Sequence, residues 1–206
     1  MLSSILAGAI LGLAAGLTPG PLLTLVVTQT LRHGPREGVL VAAAPILTDI
    51  PIVLTVFLVL GEVRQYGVLL GILSLCGGCY VLWLAWETFR AGPVDDGAGA
   101  GTGEARSLRK GALINVLNPH PWLFWITVGV PLVFRAGQEG SIEPWLFIGF
   151  FYLLLVGSKV GVALTIGGIR TFFTGKAYKN LMVVMAAVLA GFAFFLFREA
   201  CRWLNG

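Results

Sequence analysis

The sequence predicts an all-α integral membrane protein of six transmembrane helices, in two inverted three-helix repeats whose leading helices, the first and fourth of the chain, are broken by proline. Three observations predict it. Hydrophobic residues make up 57% of the 206 residues and charged ones 12%, with a mean hydropathy of +0.88, far outside the soluble globular range. Apolar runs long enough to cross a hydrocarbon core of about 30 Å recur at 3–31, 38–61, 67–86, 111–134, 144–169 and 180–197. A Pro-x-Pro segment interrupts the first of these runs and a second copy interrupts the fourth. Uniformly apolar runs of this length exclude a membrane barrel, whose strands alternate over about ten residues.

The first run breaks at Gly16-Leu-Thr-Pro-Gly-Pro21. Proline has no amide hydrogen and its ring clashes with the carbonyl four residues back, so Pro19 and Pro21 free the carbonyls of Ala15 and Leu17. In hydrocarbon an unpaired peptide group costs several kcal/mol, so a break is tolerated only inside protein or beside a wet cavity. Thr18, Pro19, Gly20 and Pro21 are therefore candidate site residues. Met1-Leu-Ser-Ser-Ile5 lacks the cationic start of a cleaved signal peptide, and the run is expected to stay as the first span. The second run carries Asp49 about eleven residues in, roughly 16 Å deep at 1.5 Å per residue.

The third run holds Cys76-Gly-Gly-Cys79. Redox pairs and soft-metal sites use this spacing, but these flanks are apolar and hold no histidine or acid, so two small packing residues is the stronger reading. Cys201 is single, and no disulfide is implied. Residues 91–110 are read as a cytoplasmic linker, polar and Gly-rich over 91–105, separating a repeat at 1–90 from one at 111–206. Three spans is an odd number, so the second repeat enters the membrane inverted.

The fourth run opens with Asn115-Val-Leu-Asn-Pro-His-Pro-Trp122. Asn118 stands where Thr18 stands in the first break, and Pro119 and Pro121 free the carbonyls of Asn115 and Leu117. Paired interruptions of this kind in two halves are the best sequence pointer to a transporter binding site. His120 lies between the prolines and reads equally as a proton relay or carboxylate ligand and as a polar residue of a vestibule. The fifth run carries Lys159, the inverted counterpart of Asp49 at matched depth. Charges there cost roughly 2.5–3.5 kcal/mol each unless paired or wet, so a mutual ion pair is expected, as a switch or a static bridge. Gly157, Gly161, Gly167 and Gly168 beside it suggest close helix approach or a hinge.

Orientation follows the Lys/Arg bias. Arg32, Arg36, Arg90, Arg106, Arg109, Lys110, Arg170, Lys176 and Lys179 fall on one side, against Arg64, Arg135, Arg198 and Arg202 on the other. The first side is then cytoplasmic and both termini lie outside. The net charge of +4 is consistent with this bias and gives no reason to invoke nucleic acid. Trp83, Trp86, Trp145 and Trp203 sit where interfacial belts place aromatics, and His33 reads as a solvated loop residue.

Six spans, Gly16-Leu-Thr-Pro-Gly-Pro21, Asp49, and Asn115-Val-Leu-Asn-Pro119 together resemble the LysE/RhtB family of bacterial amino-acid exporters. The resemblance implies a secondary transporter of the bacterial inner membrane, not an enzyme and without a cofactor. It implies export of an amino acid or related small metabolite by proton-coupled antiport, or of a metal ion in some branches. The partners expected are that small molecule, protons, the lipid bilayer and a second copy in a homodimer. The site expected is Thr18, Pro19, Gly20, Pro21, Asp49, Asn115, Asn118, Pro119, His120 and Lys159. Freed carbonyls and the Asn118 amide would hold an ammonium there, while half-helix N–H groups meet a carboxylate. Family members commonly continue Asn-Pro with a lysine, whereas this chain has His120. Lys159, a fixed internal cation, would repel lysine or arginine unless Asp49 neutralises it. The alternative class, a thiol-disulfide electron carrier of CcdA/DsbD-like architecture, needs cysteines at the breaks, where this chain has Thr18, Gly20, Asn118 and His120.

Overall fold

A computed structural model describes residues 1–59, 66–90, 106–139, 142–169 and 175–205. Among the described residues all regular structure is helical. The first apolar run forms α1 (Leu2–Leu17) and α2 (Pro21–His33), bent by 62° at the Thr18–Gly20 break. Next come α3 (Pro35–Val59), α4 (Tyr66–Phe89), α5 (Ser107–Leu117) and α6 (Pro119–Phe124). A π-helical turn at Trp125–Gly129 leads into α7 (Val130–Glu139), followed by α8 (Glu143–Ile169) and α9 (Gly175–Asn205).

By length and composition α3, α4, α8 and α9 can each cross a membrane, and the bent α1–α2 pair makes a fifth candidate. The fourth run, expected at 111–134 as a helix broken by proline, is interrupted at Asn118. It is divided into helices of 11, 6 and 10 residues with a five-residue π turn between the last two; Pro119 and Pro121 interrupt the amide ladder between the first two. Residues 107–110 correct the linker boundary, since they form the first turn of α5 rather than loop. Their polar groups are pinned instead of solvated: Ser107 Oγ donates to Gln29 Oε1 at 3.0 Å and Lys110 Nζ to Glu87 Oε1 at 2.6 Å. The Gly-rich stretch 91–105 lies outside the described residues.

The α2–α3 corner is a single residue. Gly34 adopts φ 101°, a conformation L side chains rarely take, and its N–H caps Thr30 O at 2.9 Å before Pro35 opens α3. This makes His33 the half-buried last residue of α2, not the solvated loop residue expected.

α1 packs along α8, α4 along α9, and α3 against α2, α5 and α8. The buried stripe of α1 is Ser4, Gly8, Gly12 and Gly16, four residues apart on one face. A Cβ on Gly8 would stand 3.1 Å from Phe151 N, and one on Gly12 would stand 3.0 Å from Phe151 Cα and closer still to its carbonyl. Backbone contact of this kind is how helices associate in lipid, where burial of apolar surface gives no driving force. The glycines expected to play this part behave differently: a Cβ on Gly157, Gly161 or Gly168 would meet nothing within 4 Å, and of the four only Gly167 meets a neighbour, Pro35. The reason lies in the partner face, since α8 presents Phe147, Phe151 and Leu155 inward and the small residues are supplied by α1.

One buried cluster gathers Leu22, Leu25, Val41, Leu84, Ile114 and Leu189, and another Ile52, Trp122, Trp125, Phe151 and Leu155. Trp83, Trp86 and Trp145 are exposed as belt residues are, while Trp203 is partly buried against the second cluster. Gly12→Val should cost about 1–3 kcal/mol by forcing α1 off α8, whereas Gly157→Ala should leave stability near wild type. Thermal unfolding in detergent checks this, and equal responses would contradict the α1–α8 contact.

Candidate functional site

Each break resolves its loose peptide groups in its own way. At the first, the N–H of Thr18 bonds Ala14 O at 2.9 Å and its hydroxyl bonds the same oxygen at 2.6 Å. Gly20 is fully extended, no side chain caps α2, and Pro21 takes the first helical position. The amides of Leu22 and Leu23 are thus the first without partners inside the helix. At the second break Asn118 is extended and its side-chain oxygen accepts the His120 N–H at 3.1 Å, which caps α6. With that amide diverted, Val116 O is taken by Trp122 Nε1 at 2.9 Å.

Both breaks open onto one cavity of about 750 Å³. Thr18, Pro19, Gly20 and Pro21 line it from the first break, Asn118, His120 and Pro121 from the second, with Asp49, Asn115 and Lys159 completing its polar wall. Of the ten residues expected at the site, Pro119 alone stands apart from this lining, buried as the first residue of α6. His120 stacks on Phe195 of α9, ring centroids 5.8 Å apart.

Asp49 is buried in the middle of α3 and tied to three other elements. Its Oδ1 accepts from Asn115 Nδ2 of α5 at 2.7 Å, and its Oδ2 from Tyr152 Oη of α8 at 3.0 Å and Trp125 Nε1 of the π turn at 3.4 Å. Asn115 Nδ2 also reaches Thr48 Oγ1 at 2.8 Å. Lys159, 3% exposed, donates through Nζ to Ala15 O at 3.2 Å, one of the carbonyls that proline frees.

The expected Asp49–Lys159 ion pair is not formed: among the described residues no salt bridge joins them. The spacing along α8 explains this. Tyr152 and Lys159 are seven residues apart, nearly the same face but about 10 Å different in height, so the residue level with Asp49 is the tyrosine. Tyr152, Trp125 and Thr48 were missed by sequence reasoning. A hydroxyl two turns from a buried lysine was the available signal for Tyr152. Trp125 had none, because the π turn that rotates its ring inward leaves no mark in the apolar pattern.

A second polar knot lies where α2, α4 and α5 end or begin. Glu87 Oε1 takes Arg32 Nη1 at 3.0 Å and Lys110 Nζ at 2.6 Å, beside the Ser107–Gln29 bond.

Compared with known families, residues 13–200 match the family model described as LysE type translocator. The chain belongs to that family. No curated protein and no solved structure matches it. As a LysE type translocator the protein is a multi-pass membrane transporter, of a transporter family rather than an enzyme family, and all the cavity-lining residues named above fall inside the matched region.

If the Tyr152 hydroxyl bonds the Asp49 carboxylate, Tyr152→Phe and Asp49→Asn should be non-additive in thermal unfolding, with a coupling of about 0.5 kcal/mol or more. Strictly additive losses would mean that the bond is not formed.

Proposed function

We propose that this translocator is a secondary exporter that carries an amino acid or a related small metabolite out of the cytoplasm in exchange for protons. The observation that carries this reading is the convergence of two proline breaks, about a hundred residues apart, with Asp49 and Lys159 on one cavity. Interrupted helices offer unpaired peptide groups where a small polar molecule needs them, and intramembrane ionisable residues mark substrate or proton paths.

Asp49 is the candidate proton carrier. Its direct partners are neutral donors on three elements, so its protonation breaks no contact ion pair. Protonation weakens its acceptance from Asn115, Tyr152 and Trp125 together and so loosens α3 from α5, the π turn and α8.

The contact pattern supports two inverted repeats, 1–90 and 111–206. The pairing of α1 with α8 has its counterpart in α5 with α3, and α4 with α9 is its own counterpart. In the orientation given by the Lys/Arg bias, with both termini outside a bacterial inner membrane, the Arg32–Glu87–Lys110 knot lies at the cytoplasmic end. Cys76 and Cys79 lie on the exposed face of α4, away from the cavity lining, which favours export over thiol-disulfide electron transfer.

Metabolite profiling of medium from over-expressing cells tests the reading. Wild type should enrich one or a few amino acids or related metabolites several-fold, and Asp49→Asn, expressed to the same level, should lose both the enrichment and its dependence on the proton gradient. An unchanged medium, or an Asp49→Asn protein with wild-type pH dependence, would overturn it.

A further inference from the structure

We infer that the cavity selects its cargo by a carboxylate bound at Lys159, that the cargo body is apolar or aromatic, and that an α-amino group is dispensable. The inference rests on the exporter reading and names the substrate class of the same site.

Lys159 carries three N–H donors. A single acceptor is shown for it, the Ala15 carbonyl at 3.2 Å, and among the described residues it forms no ion pair. A buried ammonium that faces a cavity without a carboxylate in direct contact has donors to spare, and a ligand anion can take them. Asp49 does not touch Lys159: its direct partners are Asn115, Tyr152 and Trp125.

The same observation takes one carbonyl, that of Ala15, out of the ammonium subsite expected from the sequence. The carbonyl that Pro19 frees is occupied by the chain's own ammonium, and Asp49, the only acidic residue of the cavity lining among the described residues, already accepts from three donors. No second acidic residue lines the cavity among the described residues, and the charge of Lys159 opposes lysine and arginine.

The break beside Lys159 is prepared for an anion. The uncapped start of the 13-residue α2, Pro21 to Leu23, lines the cavity, and the helix dipole favours negative charge at that end. Gly20 leaves the approach open, since a Cβ there would meet nothing nearer than Thr18 O at 3.8 Å. The remaining wall is hydrocarbon and rings, with Phe124, Trp125, Phe151, Leu155, Phe192 and Phe195 facing the space. Such a wall suits a phenyl or branched aliphatic body.

Equilibrium binding to the purified full-length protein, with four probes that separate the two charged groups, tests this. 3-Phenylpropionate and phenylalanine should bind within about tenfold of each other, and phenethylamine and lysine at least about tenfold more weakly. Lys159→Gln should weaken both carboxylates at least about tenfold and leave phenethylamine unchanged. Phenethylamine binding as tightly as 3-phenylpropionate, no carboxylate binding to wild type, or a folded Lys159→Gln protein that keeps its affinity would each overturn the inference. Should Lys159→Gln fail to fold, the wild-type panel decides alone. A medium enriched only in amines or basic amino acids would overturn this inference and leave the exporter reading standing, whereas an unchanged medium would remove the exporter reading itself.

Discussion

The arrangement depends first on how one buried carboxylate is satisfied. An aspartate in the middle of an apolar helix is costly unless every acceptor finds a donor. Here the donors come from α5, the π turn and α8, so satisfying Asp49 also fixes those elements around α3. Asn115 adds Thr48 to the knot and sits three residues before the second break, so the position of that break is set from the same point. Through α8 the constraint passes to α1, whose glycine stripe lies on Phe147 and Phe151 and carries the first break to the same cavity.

The two breaks share a sequence pattern but not a chemistry. Asn118 caps its helix with its own side chain, whereas Gly20 has none to offer and leaves the start of α2 bare. Lys159 then adds a cation on the bare side. The cavity therefore has a polar asymmetry that a duplicated motif alone would not produce, and this asymmetry gives a small molecule a defined way to lie.

Much of this is legible in the sequence, for physical reasons. Proline marks a helix break wherever it removes an amide, so Pro19, Pro21, Pro119 and Pro121 locate both interruptions, and the carbonyl freed at Ala15 has a partner. Asp49 and Lys159 are conspicuous because charge is rare among apolar residues. Their separation is not legible, because depth counted along two separate helices fixes height only to within a turn or two, and Tyr152 stands one such step closer to Asp49. Composition misplaces the start of α5, since polar residues tied to Gln29 and Glu87 look the same in sequence as solvated ones. The π turn escapes because it changes the rotation of a helix without changing which residue types compose it.

The central claim is that both breaks face one aqueous space, and paired thiol labelling tests it most directly. In protein with Cys76, Cys79 and Cys201 replaced by serine, single Thr18→Cys and Asn118→Cys variants would be exposed to a small membrane-impermeant thiol reagent in sealed vesicles of each orientation. The account predicts that both cysteines react, and from the same side. Labelling from opposite sides, or of only one of the two, would contradict it.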